Sequence, residues 1–149
     1  MKLLEIKKLD FSYGDQSILA GIELDLHQGE LISLIGSSGC GKTTLLRIIA
    51  GFEKPQAGHV LIHGQEVASS HSMTPAEERE IGVVFQNYAL FPHLSVKENI
   101  LFGCHKLSKE KQTKHLETLS ELLKIKDHLD KMPHQLSGGQ QQRVAIART

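Results

Sequence analysis

The nine residues Gly36-Ser37-Ser38-Gly39-Cys40-Gly41-Lys42-Thr43-Thr44 constrain the fold more than any other stretch of this chain. They fit the pattern G-x-x-x-x-G-K-[ST] and lie between a short apolar run, "ELISLIG", and a segment from residue 42 to 50 that reads as a helix. Polyphosphate is a dense anion that needs many donors at close range. Glycines let the backbone wrap tightly, so successive N–H groups face the phosphates, and a helix N-terminus adds its positive end. Lys42 is placed to reach the β- and γ-phosphates, and Thr43 to ligate Mg²⁺. A strand, a phosphate loop and a helix in that order predict an α/β architecture built around a nucleotide.

The flanking segments agree with a sheet. "LLEIKKLDFSYG" and "GIELDLHQGE" both alternate, with Ile22, Leu24 and Leu26 on one side and Glu23 and Asp25 on the other. That pattern predicts half-buried antiparallel strands. "GHVLIHG" reads as a further strand between glycines. "ELISLIG" and "IGVVFQ" are nearly continuous apolar runs, as expected of strands buried on both faces.

After Gln86 the composition turns helical. Thr74-Pro75-Ala76-Glu77 already has the look of a helix start, with an N-cap candidate, Pro in the first turn and Glu three residues on. Ser95-Val96-Lys97-Glu98 repeats the capping-box pattern, and Leu116, Leu119, Leu122 and Leu123 recur at helical spacing within residues 108–125. Residues 87–136 therefore read as a helical insert.

Composition narrows the function. Lys plus Arg equal Asp plus Glu at 17 each, which argues against a nucleic-acid partner held by a broad basic surface. Cys40 and Cys104 form no disulfide framework, and the start "MKLLEIKKLD" carries charge where a signal peptide needs an apolar run. No stretch approaches the roughly 18 consecutive apolar residues of a membrane span, so a membrane role is peripheral. His59 and His63 are strand-flanking residues without the Cys/His spacing of a zinc site.

"LSGGQ", residues 136–140, is the second anchor. Alone, Ser137 before two glycines is an N-cap and turn, Tyr13 in "FSYG" a strand-end aromatic, and Gln86 a strand-end polar residue. In register with the phosphate loop, the pentapeptide resembles the signature of the ATP-binding cassette ATPases, and the likeness runs from the first strand to Thr149. The resemblance implies a P-loop NTPase fold of mixed α/β class, with an N-terminal antiparallel β subdomain and a helical insert. It implies one nucleotide-binding domain over 1–149: β subdomain and phosphate-loop core at 1–86, helical subdomain at 87–136, signature helix at 137–149. ATP and Mg²⁺ are the implied ligands. Gly36 to Thr44 would hold the phosphates, Tyr13 would stack on adenine, and Gln86 would contact Mg²⁺ and the attacking water. Ser137, Gly138, Gly139 and Gln140 would clamp ATP bound to a second copy in a head-to-tail dimer.

"GSSGCGKTTLLRIIAGFEKPQAG" and "YALFPH" look most like ATPase subunits of bacterial binding-protein-dependent importers, with ferric iron first among ferric-iron, polyamine and sugar systems. That implies membrane permease subunits as partners and a peripheral place on the cytoplasmic face of the inner membrane. Family members continue past the signature into a Walker B strand ending in Asp–Glu, then a D-loop and a switch histidine. None of these falls within the 149 residues, so the expectation is an N-terminal portion of an ATPase subunit, with the C-terminal part of the core sheet missing. Two other readings stay open: a catalytically incomplete nucleotide-binding or dimerisation fragment, and a cassette ATPase acting on ribosomes or DNA instead of transport.

Overall fold

The computed structural model describes all of residues 1–149, and they divide into two compact units, Met1–Ile81 and Gly82–Thr149.

In the first unit, strands β1 (Lys2–Tyr13), β2 (Gln16–His27), β3 (Ala57–Ile62) and β4 (Gln65–Ser69) form an antiparallel sheet in the order β2-β1-β3-β4. Ile6 lies opposite Leu24 on one side and Val60 on the other. Leu4 and Ile6, then Leu9 and Phe11, are the buried residues of β1. The three-residue step from Ile6 to Leu9 breaks simple alternation, because Lys8 sits at φ 46 in a bulge that shifts the register against β3 between Lys7 and Asp10. Gly58 faces that bulge at φ +81, where a Cβ would collide with the carbonyls of Lys7 and Lys8. Helix α1 (Lys42–Ala50) lays Leu45 and Ile48 into the sheet's apolar face.

Both runs expected to be buried strands are corrected by the structure. Residues 30–36 and 81–86 join no ladder, and Leu31 and Ile35 are 93% and 95% exposed. Apolar content signals a tendency to be buried, but a strand exists only where another backbone pairs with it. The four strands of the sheet pair among themselves, and neither run adds a strand to it. Thr74 also starts no α-helix. Its N–H donates to Val67 O at 2.8 Å, prolonging the β4 hairpin, and only a single 3₁₀ turn follows at Ala76–Glu78.

The second unit holds α2 (Val96–Leu101), α3 (Lys109–Leu122) and α4 (Gly138–Arg148) around Val96, Ile100, Leu116, Ile125, Leu136 and Val144. The capping box expected at Ser95 and Glu98 starts α2, and Ser108 caps α3. Leu116 is buried and Leu119 and Leu123 pack against the core, whereas Leu122 is exposed. Asn99 is fully buried and fully used: its Oδ1 accepts from Phe91 N, and its Nδ2 donates to the carbonyls of Phe91, Leu94 and Ser95. That one amide fixes the path of residues 91–95.

Candidate functional site

The phosphate loop enters α1 through Gly41, the N-cap, at φ 92. A Cβ there would lie 2.8 Å from Leu19 Cδ2, so both the backbone angle and the packing demand glycine. No side chain caps this helix start, and its first turn holds no acidic residue. The first-turn amides therefore lack intrahelical acceptors and are open to an external anion. Lys42 Nζ folds back over the loop, donating to Gly36 O at 2.8 Å and Ser37 O at 2.7 Å, with Cys40 Sγ at 3.4 Å. The loop carbonyls thus hold the ammonium at the loop itself. Thr43 is exposed, and Thr44 is turned inward.

Tyr13, far from the loop in sequence, shares its cleft. The ring at the end of β1 lines a space of about 330 Å³ with Ile18, Gly39, Lys42, Thr43 and Thr44. Its edge meets Phe11 at 4.8 Å between centroids, and its hydroxyl donates to Glu53 at 3.3 Å. Glu53 also pairs with Arg47 of α1 at 3.1 Å. A half-exposed aromatic is thereby held in place beside a cationic loop, which suits a flat base carrying phosphates.

A residue that motif reading missed secures the other end of α1. Arg79 is 3% exposed, and its guanidinium donates to the carbonyls of Ile48, Ile49, Val67 and Thr74 at 2.7–3.0 Å. Burial lowers its pKa from the usual guanidinium value, while the helix C-terminus offers the negative end of a dipole. Its only sequence signal is one arginine before "EIGVVF", too little to announce such a role.

The remaining predicted residues lie in the second unit. Gln86 is exposed and opens a turn that runs to Ala89. Ser137 caps α4: its Oγ accepts from Gln140 N, and Gln140 Oε1 accepts from Ser137 N at 2.8 Å. With its oxygen so engaged, Gln140 Nε2 donates to His128 Nε2 at 2.9 Å, which puts the His128 proton on a buried Nδ1 without a partner. Gly138 and Gly139 occupy the first turn with no side chain to shield their amides. The structure thus gathers Tyr13 and residues 36–44 in one unit, and Gln86 with residues 137–140 in the other.

Comparison with known proteins identifies the family. A family model described as ABC transporter matches residues 19–149. The spermidine/putrescine import ATP-binding protein PotA of Thermotoga maritima is 46% identical over 147 residues, covering 97% of this chain and 39% of that protein. The Fe(3+) ions import ATP-binding protein FbpC of Mesorhizobium japonicum is 47% identical over 149 residues, covering 99% of this chain and 41% of that protein. The chain thus spans about two-fifths of the length of these curated relatives. Among solved structures, CbiO1 from Clostridium perfringens, part of the ABC transporter complex CbiONQ, matches with a TM-score of 0.86 and 31% identity, over 99% of this chain and 60% of that one.

Proposed function

The chain belongs to the ABC transporter family, and on that premise we propose that it carries the nucleotide-binding part of the ATPase subunit of a membrane importer. The observation that carries this reading is the single cleft shared by Tyr13, Lys42 and Thr43, facing a helix start that no side chain caps. Lys42 and the amides of residues 36–44 bind the phosphates, and Tyr13 stacks on adenine without reading its edges. Bound Mg²⁺ would supply positive charge that neutralises the phosphates. The exposed Thr43 hydroxyl at the helix start, with phosphate oxygens beside it, is the kind of hard-oxygen donor such an ion takes. Gln86 orients water at the γ-phosphate, and Ser137 and Gly139 contact ATP held by a second copy arranged head to tail.

The permease subunits are the membrane partners, and the subunit works peripherally at the cytoplasmic face. No helix of this chain is long and apolar enough to cross a membrane. For the cargo we place ferric iron first, with polyamines beside it because the relatives divide between those two names.

The test is reconstitution of the complete subunit with its permease in liposomes, wild type against Lys42→Ala. Loss of this ammonium is expected to weaken ATP binding by about tenfold or more, since charge-assisted contacts to phosphate are roughly twice as strong as neutral ones. ATP-dependent uptake should disappear with it. An unchanged affinity by calorimetry removes Lys42 from the site. Uptake of Fe³⁺ but not of spermidine or putrescine fixes the cargo, and the reverse result transfers the assignment to polyamines.

A further inference from the structure

The turn that Gln86 opens has a shape its residues do not favour. Tyr88 and Ala89 follow one another at φ 60 and φ 46, in the left-handed region that residues with a Cβ avoid. Such a conformation persists only where its surroundings over-determine it. Arg148 supplies the surroundings. Its Nη1 donates to Ala89 O at 2.6 Å and its Nη2 to Tyr88 O at 3.2 Å, while the guanidinium lies 5.2 Å from the centre of the Phe91 ring. Arg148 is also the last residue of α4, whose first residue is Gly138. The Tyr88 hydroxyl reaches back to that first residue, 3.8 Å from where a Gly138 Cβ would stand.

We propose that Arg148 is a positioning residue that holds the Gln86 turn in its left-handed shape by gripping the carbonyls of Tyr88 and Ala89 together. The inference rests on the role proposed above for Gln86. A planar guanidinium can hold two carbonyls at once in a fixed geometry, which a lysine ammonium on a flexible stem cannot. Glycine at position 89 would adopt the left-handed angle unaided. Alanine there makes the shape of the turn depend on Arg148.

The experiment compares steady-state kinetics and ATP affinity of the complete subunit, assembled with its permease, for wild type, Arg148→Ala, Arg148→Lys, Ala89→Gly, Arg148→Ala/Ala89→Gly and Arg148→Lys/Ala89→Gly. Arg148→Ala should leave ATP affinity unchanged and lower kcat by about tenfold to a hundredfold, as misplacement of positioned groups does. Arg148→Lys should fall close to Arg148→Ala. Ala89→Gly alone should be silent, and added to Arg148→Ala it should restore most of the lost kcat. A wild-type kcat in Arg148→Ala overturns the inference. So does a loss that Ala89→Gly fails to restore, which would assign Arg148 to packing against Phe91 alone. If Arg148→Ala does not fold, restoration of the Arg148→Lys kcat by Ala89→Gly decides in the same way. A wild type that binds no ATP overturns the nucleotide reading, and this inference with it, which is a different result from normal binding with an unaffected kcat.

Discussion

Helices α1 and α4 both begin on glycine-rich motifs, yet they treat their first-turn amides in opposite ways. α1 starts at Gly41 with no side-chain cap, and its lysine is folded onto loop carbonyls. α4 starts at Ser137 with a closed capping box, in which Ser137 and Gln140 satisfy each other's backbone N–H groups. Only the amides of Gly138 and Gly139 are left over. One helix start leaves its first-turn amides to an external partner; the other closes on itself and leaves only two amides over. The first suits a site that grips nucleotide firmly, and the second a surface that adds contacts when another molecule delivers its phosphate.

The sharpest way to break this contrast is to bury the reserve amides. Ser137→Arg in the complete subunit should abolish ATP hydrolysis while sparing ATP binding, measured by phosphate release and calorimetry on the same samples. Loss of binding by the isolated subunit would place the signature in the same site as the phosphate loop. A smaller effect separates capping from ligand contact. Ser95→Ala and Ser137→Ala should each cost about 1 kcal/mol of stability in denaturant melts, the ordinary price of a lost N-cap. Only Ser137→Ala should also lower turnover. Equal turnover in the two variants would reduce Ser137 to a structural cap.

The smallest effect lies in pH. The α2 box uses a carboxylate where the α4 box uses an amide. Glu98 accepts from the backbone N–H and the hydroxyl of Ser95, both at 2.7 Å, and these bonds hold its pKa below the ordinary carboxylate value of 4.5. Because the folded state binds this proton more weakly than the unfolded chain, the stabilisation is complete above about pH 4.5 and fades as pH falls through the lowered folded value. Glu98→Gln should flatten that part of the stability–pH curve, whereas Gln140→Ala should leave its slope unchanged. A curve that keeps its full slope in Glu98→Gln would assign the acid sensitivity to other carboxylates.

Such local devices were legible in advance because their logic spans three or four residues. Ser95 with Glu98 and the glycine–lysine run at 36–44 each carry their own partners or their own vacancy. The apolar runs at 30–36 and 81–86 were misread for the opposite reason. Their composition reports a need for cover, while pairing depends on another backbone that the pattern does not mention. Ile6 and Leu9 look like an interruption of β1 until the bulge at Lys8 and the glycine opposite it are seen together. Arg79 and Arg148 gave no signal either, since their carbonyl partners lie up to 31 and 60 positions away in the chain. Tyr13 falls between these cases. Its stacking role was suggested by motif order, and the fold brings it to the loop.

Arg79 also makes the end of α1 depend on a later part of the chain. A helix of nine residues is well under the roughly 12–15 at which isolated helices begin to persist in water. As the chain leaves the ribosome, residues 42–50 emerge with the phosphate loop but without the guanidinium that will close their last turn. Ile48 and Ile49 wait for a side chain translated about thirty codons later, and the same side chain must also collect the carbonyls of Val67 and Thr74. The last turn of α1 is therefore closed only after position 79 has been made, when one side chain fastens the helix, the β4 strand and the turn after it together.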